Sequence, residues 1–256
     1  MMKTACRRLA PIAAALAMLA TLVAAAPSFA GPLNPDHIPS ISIRMGESDT
    51  APQWRYAPGV DRFRATDANG GGYEMTSSSG KTDIFGGNAT VEILELQFDP
   101  DPFVLNNILV TNNTASTQIF TAFVGLPVPP MGAPNIIKGN VRTDVIDGGL
   151  DGATIASMPG FPIYAAVVDF LPVVATLQND PFTLTAPVGM SAGSNASFGP
   201  QPSGVPVTNN IGIQLRFTLT AGDTASILSR FDVVPEPSGA GLALVGAALV
   251  LRRRRR

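Results

Sequence analysis

The chain has 256 residues, 45% of them hydrophobic, with a formal net charge of −2, one histidine and one cysteine. Between Gly31 and Val234 there are nine lysines and arginines against 18 aspartates and glutamates. So acidic a body repels phosphate backbones, and we therefore expect no nucleic-acid partner. The lone Cys6 lies in the basic N-terminal region, which excludes disulfides and cysteine-based metal sites from the body.

The first 30 residues have the three parts of a secretory signal peptide. Basic residues precede a stretch rich in alanine and leucine, and the small residues Ser28 and Ala30 follow it. This order predicts cleavage between Ala30 and Gly31. We therefore predict a signal peptide at residues 1–30, signal peptidase as a partner, and export across the inner membrane.

Residues 31–233 carry the signals of an all-β extracytoplasmic domain. From Ile211 to Thr220 apolar and polar residues alternate, which is the period of a strand with one buried face. The turn at residues 221–223 then predicts a hairpin to a partner strand that contains Val233. Asn112 and Asn113 are predicted to form an exposed turn. Further strands are predicted within 38–45, 90–98, 103–111, 117–124, 141–146, 164–170 and 182–188.

The 23 prolines and 25 glycines suit many turns better than long helices. We therefore predict an antiparallel β-sandwich of eight to eleven strands, jelly-roll-like or immunoglobulin-like in arrangement.

Candidate catalytic residues are few. The sole histidine, His37, lies near the predicted mature N-terminus and is interpreted as a solvated loop residue. Glu92 and Glu95 are the obvious carboxylate pair for glycoside hydrolysis. Because they are three positions apart on a predicted strand, we expect them on opposite faces, a poor arrangement for a catalytic pair. No motif of a serine hydrolase or a zinc protease occurs, and we predict that the protein is not an enzyme.

Two turns carry oxygen ligands of the kind that Ca²⁺ prefers. One holds Asp99 and Asp101, and the other holds Asp147 and Asp151. Neither turn matches an EF-hand loop or a repeated nonapeptide. We interpret these aspartates as turn-forming residues and predict no cofactor.

A group of aromatic residues surrounds three arginines early in the body. Its members are Trp54, Tyr56, Phe63 and Tyr73, with Arg55, Arg62 and Arg64 between them. Two interpretations stay open. The rings either stack on sugars at a carbohydrate-binding face or form the core and rim of a strand pair, and the second is favoured.

The segment 234–256 has three parts in a fixed order. Pro235-Glu236-Pro237 comes first, and a run of thirteen uncharged residues, 239–251, follows. As a helix this run spans about 20 Å, less than the roughly 30 Å hydrocarbon core, so we predict a short transmembrane helix at modest mismatch. The positive-inside rule keeps the final residues in the cytoplasm and the body outside. These residues are Arg252, Arg253, Arg254, Arg255 and Arg256.

This tail resembles the PEP-CTERM sorting signal, also catalogued as an "ice-binding protein C-terminal" domain, over about 22 residues. The resemblance implies recognition by an exosortase, a membrane-embedded cysteine protease that cuts near Pro-Glu-Pro. It also implies a transient membrane anchor, followed by release or transfer to the cell surface. Segments 99–114 and 219–225 resemble, more weakly, bodies found ahead of this tail. Such tails typically occur in bacteria that make exopolysaccharide, which becomes a candidate partner.

Three functions follow for the body. The first is a non-enzymatic protein of the cell surface or extracellular matrix, sorted by the exosortase, whose molecular role the sequence leaves open. The second is a carbohydrate-binding module that takes exopolysaccharide. The third is a hydrolase that works with carboxylates alone. A flat strip of exposed aromatic side chains would favour the second function, and two carboxylates facing each other across a cleft would favour the third. An even, polar surface without a cleft would favour the first.

Overall fold

The structure is a computed structural model that describes residues 35–235 apart from 49, 67–71, 77 and 100–101. Within these residues the chain forms sixteen strands and three short 3-10 turns, and no α-helix. None of the described segments is a helix long and apolar enough to cross a membrane. The predicted signal peptide and transmembrane helix lie outside the described residues.

The strands form two antiparallel sheets of eight, which confirms the predicted β-sandwich. Sheet A contains β1 (Ser40–Met45), β2 (Gln53–Tyr56), β8 (Gln118–Pro127), β10 (Ala153–Ala156), β11 (Tyr164–Val168), β12 (Val173–Leu177), β13 (Thr183–Ala186) and β15 (Asn210–Leu219). Sheet B contains β3 (Phe63–Ala65), β4 (Tyr73–Met75), β5 (Thr82–Ile84), β6 (Ala89–Asp99), β7 (Phe103–Asn112), β9 (Asn135–Ile146), β14 (Ser191–Ser203) and β16 (Thr224–Pro235).

The strand order in sheet A is β12-β11-β15-β8-β1-β2, with β10 joining β13 to β15. The order in sheet B is β14-β9-β16-β7-β6-β4-β3, with β5 on β6. The last strand, β16, therefore lies inside sheet B, between β9 and β7.

The core lies between the two sheets and is built from the inward residues of each alternating strand. On β15, for example, every second residue from Ile211 to Leu219 is fully buried. Phe217 on β15 and Phe120 on β8 are register partners whose rings stack 5.7 Å apart. Burial of a large apolar side chain contributes about 1.5–3 kcal/mol, so the core is the main source of stability.

The predicted hairpin at residues 221–223 is wrong. β15 pairs with strands of sheet A, whereas β16 pairs only with β7 and β9 of sheet B. The turn carries the chain from one sheet to the facing sheet. The alternation of apolar residues could not distinguish a hairpin within one sheet from a crossing between the two sheets. Both strands bury one face in either arrangement.

The strand number also exceeds the predicted eight to eleven. Most of the additional strands are short: β2 to β5 and β10 have three or four residues each, and β12 has five. Such lengths are too brief for a period of two to stand out in a sequence. The exception is β14, whose thirteen residues include few large apolar side chains.

A β-bulge changes the positions of the two glutamates. The register of β6 against β7 shifts between Ile93 and Glu95, which leaves Leu94 as the extra residue. Ile93 and Leu96 point into the core, so Glu92 and Glu95 both lie on the outer face. The expectation of opposite faces is wrong because a bulge resets the alternation.

Asn112 is also placed differently from the prediction. It ends β7 with a fully buried side chain, although Asn113 beside it is exposed as expected. The side-chain amide of Asn112 donates hydrogen bonds to the carbonyl oxygens of Ser116, Leu219 and Thr220. These bonds connect the turn before β8 with the turn between β15 and β16.

Candidate functional site

A groove of about 900 Å³ lies on the outer face of sheet A. Its floor is formed by outward residues of β1, β2, β8 and β15, and Phe161 and Phe170 line it from the neighbouring loops. Strand alternation explains the polar floor, since the inward neighbours of these residues fill the core.

The floor contains two rows of side chains that cross four strands in register. The first row is Arg55, Ser42, Phe123 and Gln214, and the second is Gln53, Arg44, Thr121 and Arg216. Neighbouring strands are about 4.8 Å apart, so each row extends roughly 14 Å. The groove thus offers hydroxyl, amide and guanidinium groups along a line, which suits an extended ligand with many hydroxyl groups.

Aromatic rings lie within and beside this floor. Phe123 lies over Gly125 and Gly212, a glycine pair in direct register between β8 and β15. A Cβ on Gly212 would come within 2.8 Å of the Phe123 ring, so glycine makes room for the ring here. The Phe170 ring lies 5.6 Å from that of Phe123, and the Arg216 guanidinium lies 4.2 Å from the Phe161 ring centre.

Phe170 holds an unusual backbone conformation. Asp169 and Phe170 have φ values of 49° and 70° and form the two central residues of the tight turn between β11 and β12. Such turns favour glycine in the second central position, where a bulky residue is strained by about 1–2 kcal/mol. Phe170 is nevertheless 64% exposed, and its ring lines the groove. Strain kept at an exposed ring is an indication of function.

The Asp169 carboxylate fixes this turn to the chain before β15. It accepts hydrogen bonds from the backbone N–H groups of Thr208, Asn209 and Asn210 at 2.7–3.2 Å, and from the Thr208 hydroxyl at 2.7 Å. Burial by itself would raise the pKa of Asp169, but these hydrogen bonds outweigh it and hold the pKa below its ordinary value. The turn that carries Phe170 is therefore held by a charged anchor.

The described lining of the groove carries more basic than acidic side chains, although the body as a whole is acidic. Among its described lining residues are three arginines, Arg44, Arg55 and Arg216, and one carboxylate, Glu47. Arg55 donates two hydrogen bonds to the side-chain oxygen of Gln53 at 3.1 and 3.3 Å. A third of the nine basic residues of the body thus line one groove.

The aromatic group predicted near residue 54 packs mainly against the core. The Trp54 and Tyr56 rings stack 6.0 Å apart and are half-buried, while Phe63 and Tyr73 contact the Phe98 ring at 5.1 and 5.3 Å. These contacts support the core-and-rim interpretation. Of the three arginines in that group, Arg55 lies in the groove, Arg62 bonds the Ser78 carbonyl, and Arg64 pairs with Glu74.

The structure describes three of the four aspartates considered for Ca²⁺. Asp99 ends β6, and Asp101 lies outside the described residues. Asp147 and Asp151 come together with Asp223, with ligand oxygens within 4.8 Å of one another. The sequence did not indicate Asp223 as a third member, because it follows Asp151 by 72 positions.

Hydrogen bonds within the cluster support the turn-forming role of Asp147 and Asp223. Asp147 accepts from the N–H groups of Leu150 at 2.8 Å and Gly189 at 2.5 Å. Asp223 accepts from the Gly148 N–H at 3.2 Å and from the Thr220 hydroxyl. The Gly189 N–H is the largest influence on the pKa of Asp147, and with other backbone N–H groups it lowers this pKa against the effect of burial.

Of the predicted sorting residues, Pro235 is described and is exposed at the end of β16, where it pairs with Asn135. Glu236, Pro237, the five terminal arginines and the cleavage pair Ala30 and Gly31 lie outside the described residues.

Sequence reasoning missed most of the groove. The outward polar residues of each alternating strand were visible in the sequence. What the sequence did not show was which strands are neighbours in the sheet.

The comparisons with known proteins give no family. No family model matches the chain, and no curated protein matches it. Among solved structures, it is similar to a mutant VP2 protein of Infectious Bursal Disease Virus from derived T=1 particles. That similarity has 15% sequence identity, covers 88% of this chain and 68% of the VP2 chain, and has a TM-score of 0.07. A likeness at this score carries no argument about fold or function.

Proposed function

We propose that this protein is an exported, non-enzymatic protein of the cell surface or extracellular matrix that binds carbohydrate through the groove of sheet A. The signal-peptide pattern, Pro235-Glu236-Pro237 and the arginine cluster support export followed by exosortase processing. The observation that carries the carbohydrate-binding role is the groove, with the exposed Phe161 and Phe170 beside it.

The groove favours a binding role over a purely structural one. Rings next to amide, hydroxyl and guanidinium groups match the two needs of a sugar, an apolar face and hydrogen bonds to its hydroxyls. Glu47 is the single carboxylate among the described lining residues, whereas glycoside hydrolysis uses a pair. We therefore place the binding module ahead of the hydrolase.

For the sandwich, we propose a jelly-roll-like rather than an immunoglobulin-like topology. From β7 to β10 and again from β13 to β16, each successive strand lies in the other sheet. Jelly rolls alternate between two sheets in this manner, which supports the proposal.

The sorting part of the proposal is tested by replacing Glu236 with alanine. The two prolines hold an extended segment with Glu236 as its one charge, so loss of that charge is expected to block recognition while the body still folds. Intact-mass spectrometry of protein from the producing cells should find the variant retaining Arg252–Arg256, in the envelope fraction. Ser238→Ala is the matched control and should be processed normally. Normal processing of the Glu236 variant would overturn the exosortase assignment.

The carbohydrate-binding part is tested with Phe170→Gly. Glycine relieves the positive φ, so the melting temperature should stay level or rise, whereas loss of the ring should weaken saccharide binding about tenfold. The probe is exopolysaccharide isolated from the producing cells, measured by affinity electrophoresis. Leu171→Ala, at a neighbouring residue that is 83% exposed and outside the groove lining, is the matched control. Equal binding by the Phe170 variant and the wild type would contradict the proposal.

A further inference from the structure

We infer that the ligand of the groove is an acidic polysaccharide whose sugar units carry carboxylates, such as a chain that contains uronic acids. This inference rests on the proposed carbohydrate-binding function and specifies its ligand. Its basis is the placement of Arg44 and Arg216 in one row of the groove floor, with Arg55 in the neighbouring row.

The charge distribution is the first argument. Residues 31–234 carry twice as many acidic as basic residues, so the domain as a whole repels polyanions. In the groove the balance is reversed, since three arginines face one glutamate among its described lining residues. Binding of a neutral sugar chain does not require an excess of basic side chains. A carboxylate-bearing chain is attracted to this groove and repelled by the acidic surface elsewhere, which also sets where it binds.

The spacing of the arginines is the second argument. Arg44 and Arg216 share one row with Thr121 between them, so their backbones lie two strands apart, roughly 10 Å. Arg55 lies on β2, in the neighbouring row. Guanidinium groups spread over three strands suit a ligand with repeated charges better than a small anion held by convergent side chains. A planar guanidinium can hold a carboxylate by two parallel hydrogen bonds, and we expect such contacts from Arg55 and Arg216.

The other groups in the groove distinguish a sugar chain from other polyanions. In the second row Gln53 and Thr121 alternate with the two arginines, and the first row adds Ser42 and Gln214; all four can bond hydroxyl groups. Hydroxyls on every unit are characteristic of a polysaccharide. Single-stranded DNA is also a polyanion that stacks on aromatic rings, but its nucleotides carry no free hydroxyl group within the chain.

The test is a titration of the protein recovered from its producing cells. The probes are an oligogalacturonate, a neutral malto-oligosaccharide of equal length, and an oligothymidylate. We expect the oligogalacturonate to bind at least about tenfold more tightly than either other probe, and its affinity to fall as salt is added.

Two variants assign the effect to the groove. Arg55→Gln and Arg216→Gln should each weaken oligogalacturonate binding about tenfold, because each removes a charge-assisted contact. Arg142→Gln makes the same charge change on the outer face of sheet B and should leave binding unchanged. Thermal melting of each variant confirms folding, and Arg55 is exposed enough that folding should not depend on it.

The outcomes separate this inference from the proposed function. If the neutral and the acidic sugar bind equally and only Phe170→Gly weakens them, the groove is a carbohydrate site and the acidic specificity is wrong. If the oligothymidylate binds most tightly, both the inference and the carbohydrate role are overturned. If neither these probes nor the native exopolysaccharide bind, the carbohydrate role itself is wrong. If Arg142→Gln weakens binding as much as the groove variants do, the attraction is unspecific and the inference fails.

Discussion

Replacing Asn112 with aspartate is expected to destabilise the body by at least about 3 kcal/mol. The Asn112 amide nitrogen donates to the carbonyl oxygens of Ser116, Leu219 and Thr220 at 2.8–3.0 Å. Aspartate keeps the shape and the oxygen that accepts from Thr114. It would, however, place a charged acceptor against three carbonyl oxygens in a site with no exposed surface.

Urea unfolding at neutral pH measures this effect, with Asn113→Asp as the matched control. Asn113 also donates from its amide, to the Gly87 carbonyl and the Thr90 hydroxyl, but it is exposed, so water can replace those bonds at a cost below about 1 kcal/mol. Burial should raise the pKa of the new carboxyl at position 112. The penalty is then largest above that pKa and shrinks as the pH falls below it, since protonation restores a donor. Equal losses at both positions would contradict the role assigned to Asn112.

Replacing Phe217 with alanine is expected to cost about 3–5 kcal/mol, a large share of the 5–15 kcal/mol typical of a folded domain. The side chain is fully buried and stacks on its register partner Phe120, so truncation leaves a cavity between the two sheets. The expected readout is a lower urea midpoint with an unchanged slope.

Phe217→Leu fills most of that cavity and should cost clearly less than the alanine variant. Phe170→Gly removes a ring of the same kind from the surface and should leave the midpoint level or raise it. An alanine variant of Phe217 that unfolds within 1 kcal/mol of the wild type would show that this ring is not part of the core.

The strands of the sandwich could be predicted where the alternation is long. The ends of β6, β7 and β15 were predicted to within one or two residues. The burial of Phe217 was predicted as well. A period of two reports which face of a strand is buried, and this is a local property of the sequence.

The pairing of strands could not be predicted in the same way. β15 and β16 are neighbours in the sequence and lie in facing sheets, whereas β1 and β8 are more than 70 residues apart and lie side by side. The groove depends on pairing between strands that are far apart in the sequence. Arg44, Thr121 and Arg216 share a row only because β1, β8 and β15 pair with one another in that order. The bulge at Leu94 and the buried Asn112 were missed for a related reason, since both are set by contacts with partner strands.

The position of β16 has a consequence for the order in which the body can be completed. This strand is the last to be synthesised, yet it joins the two halves of sheet B, β14-β9 on one side and β7-β6-β4-β3 on the other. A chain that has not emerged as far as residue 235 leaves two unpaired strand edges, which are prone to pair with other chains. A cut at Pro-Glu-Pro spares this strand, whereas a cut ahead of Thr224 would remove the piece that joins the halves. If the tail is removed at Pro-Glu-Pro as proposed, the cut falls at the end of the strand that joins the halves, so the released body keeps sheet B complete.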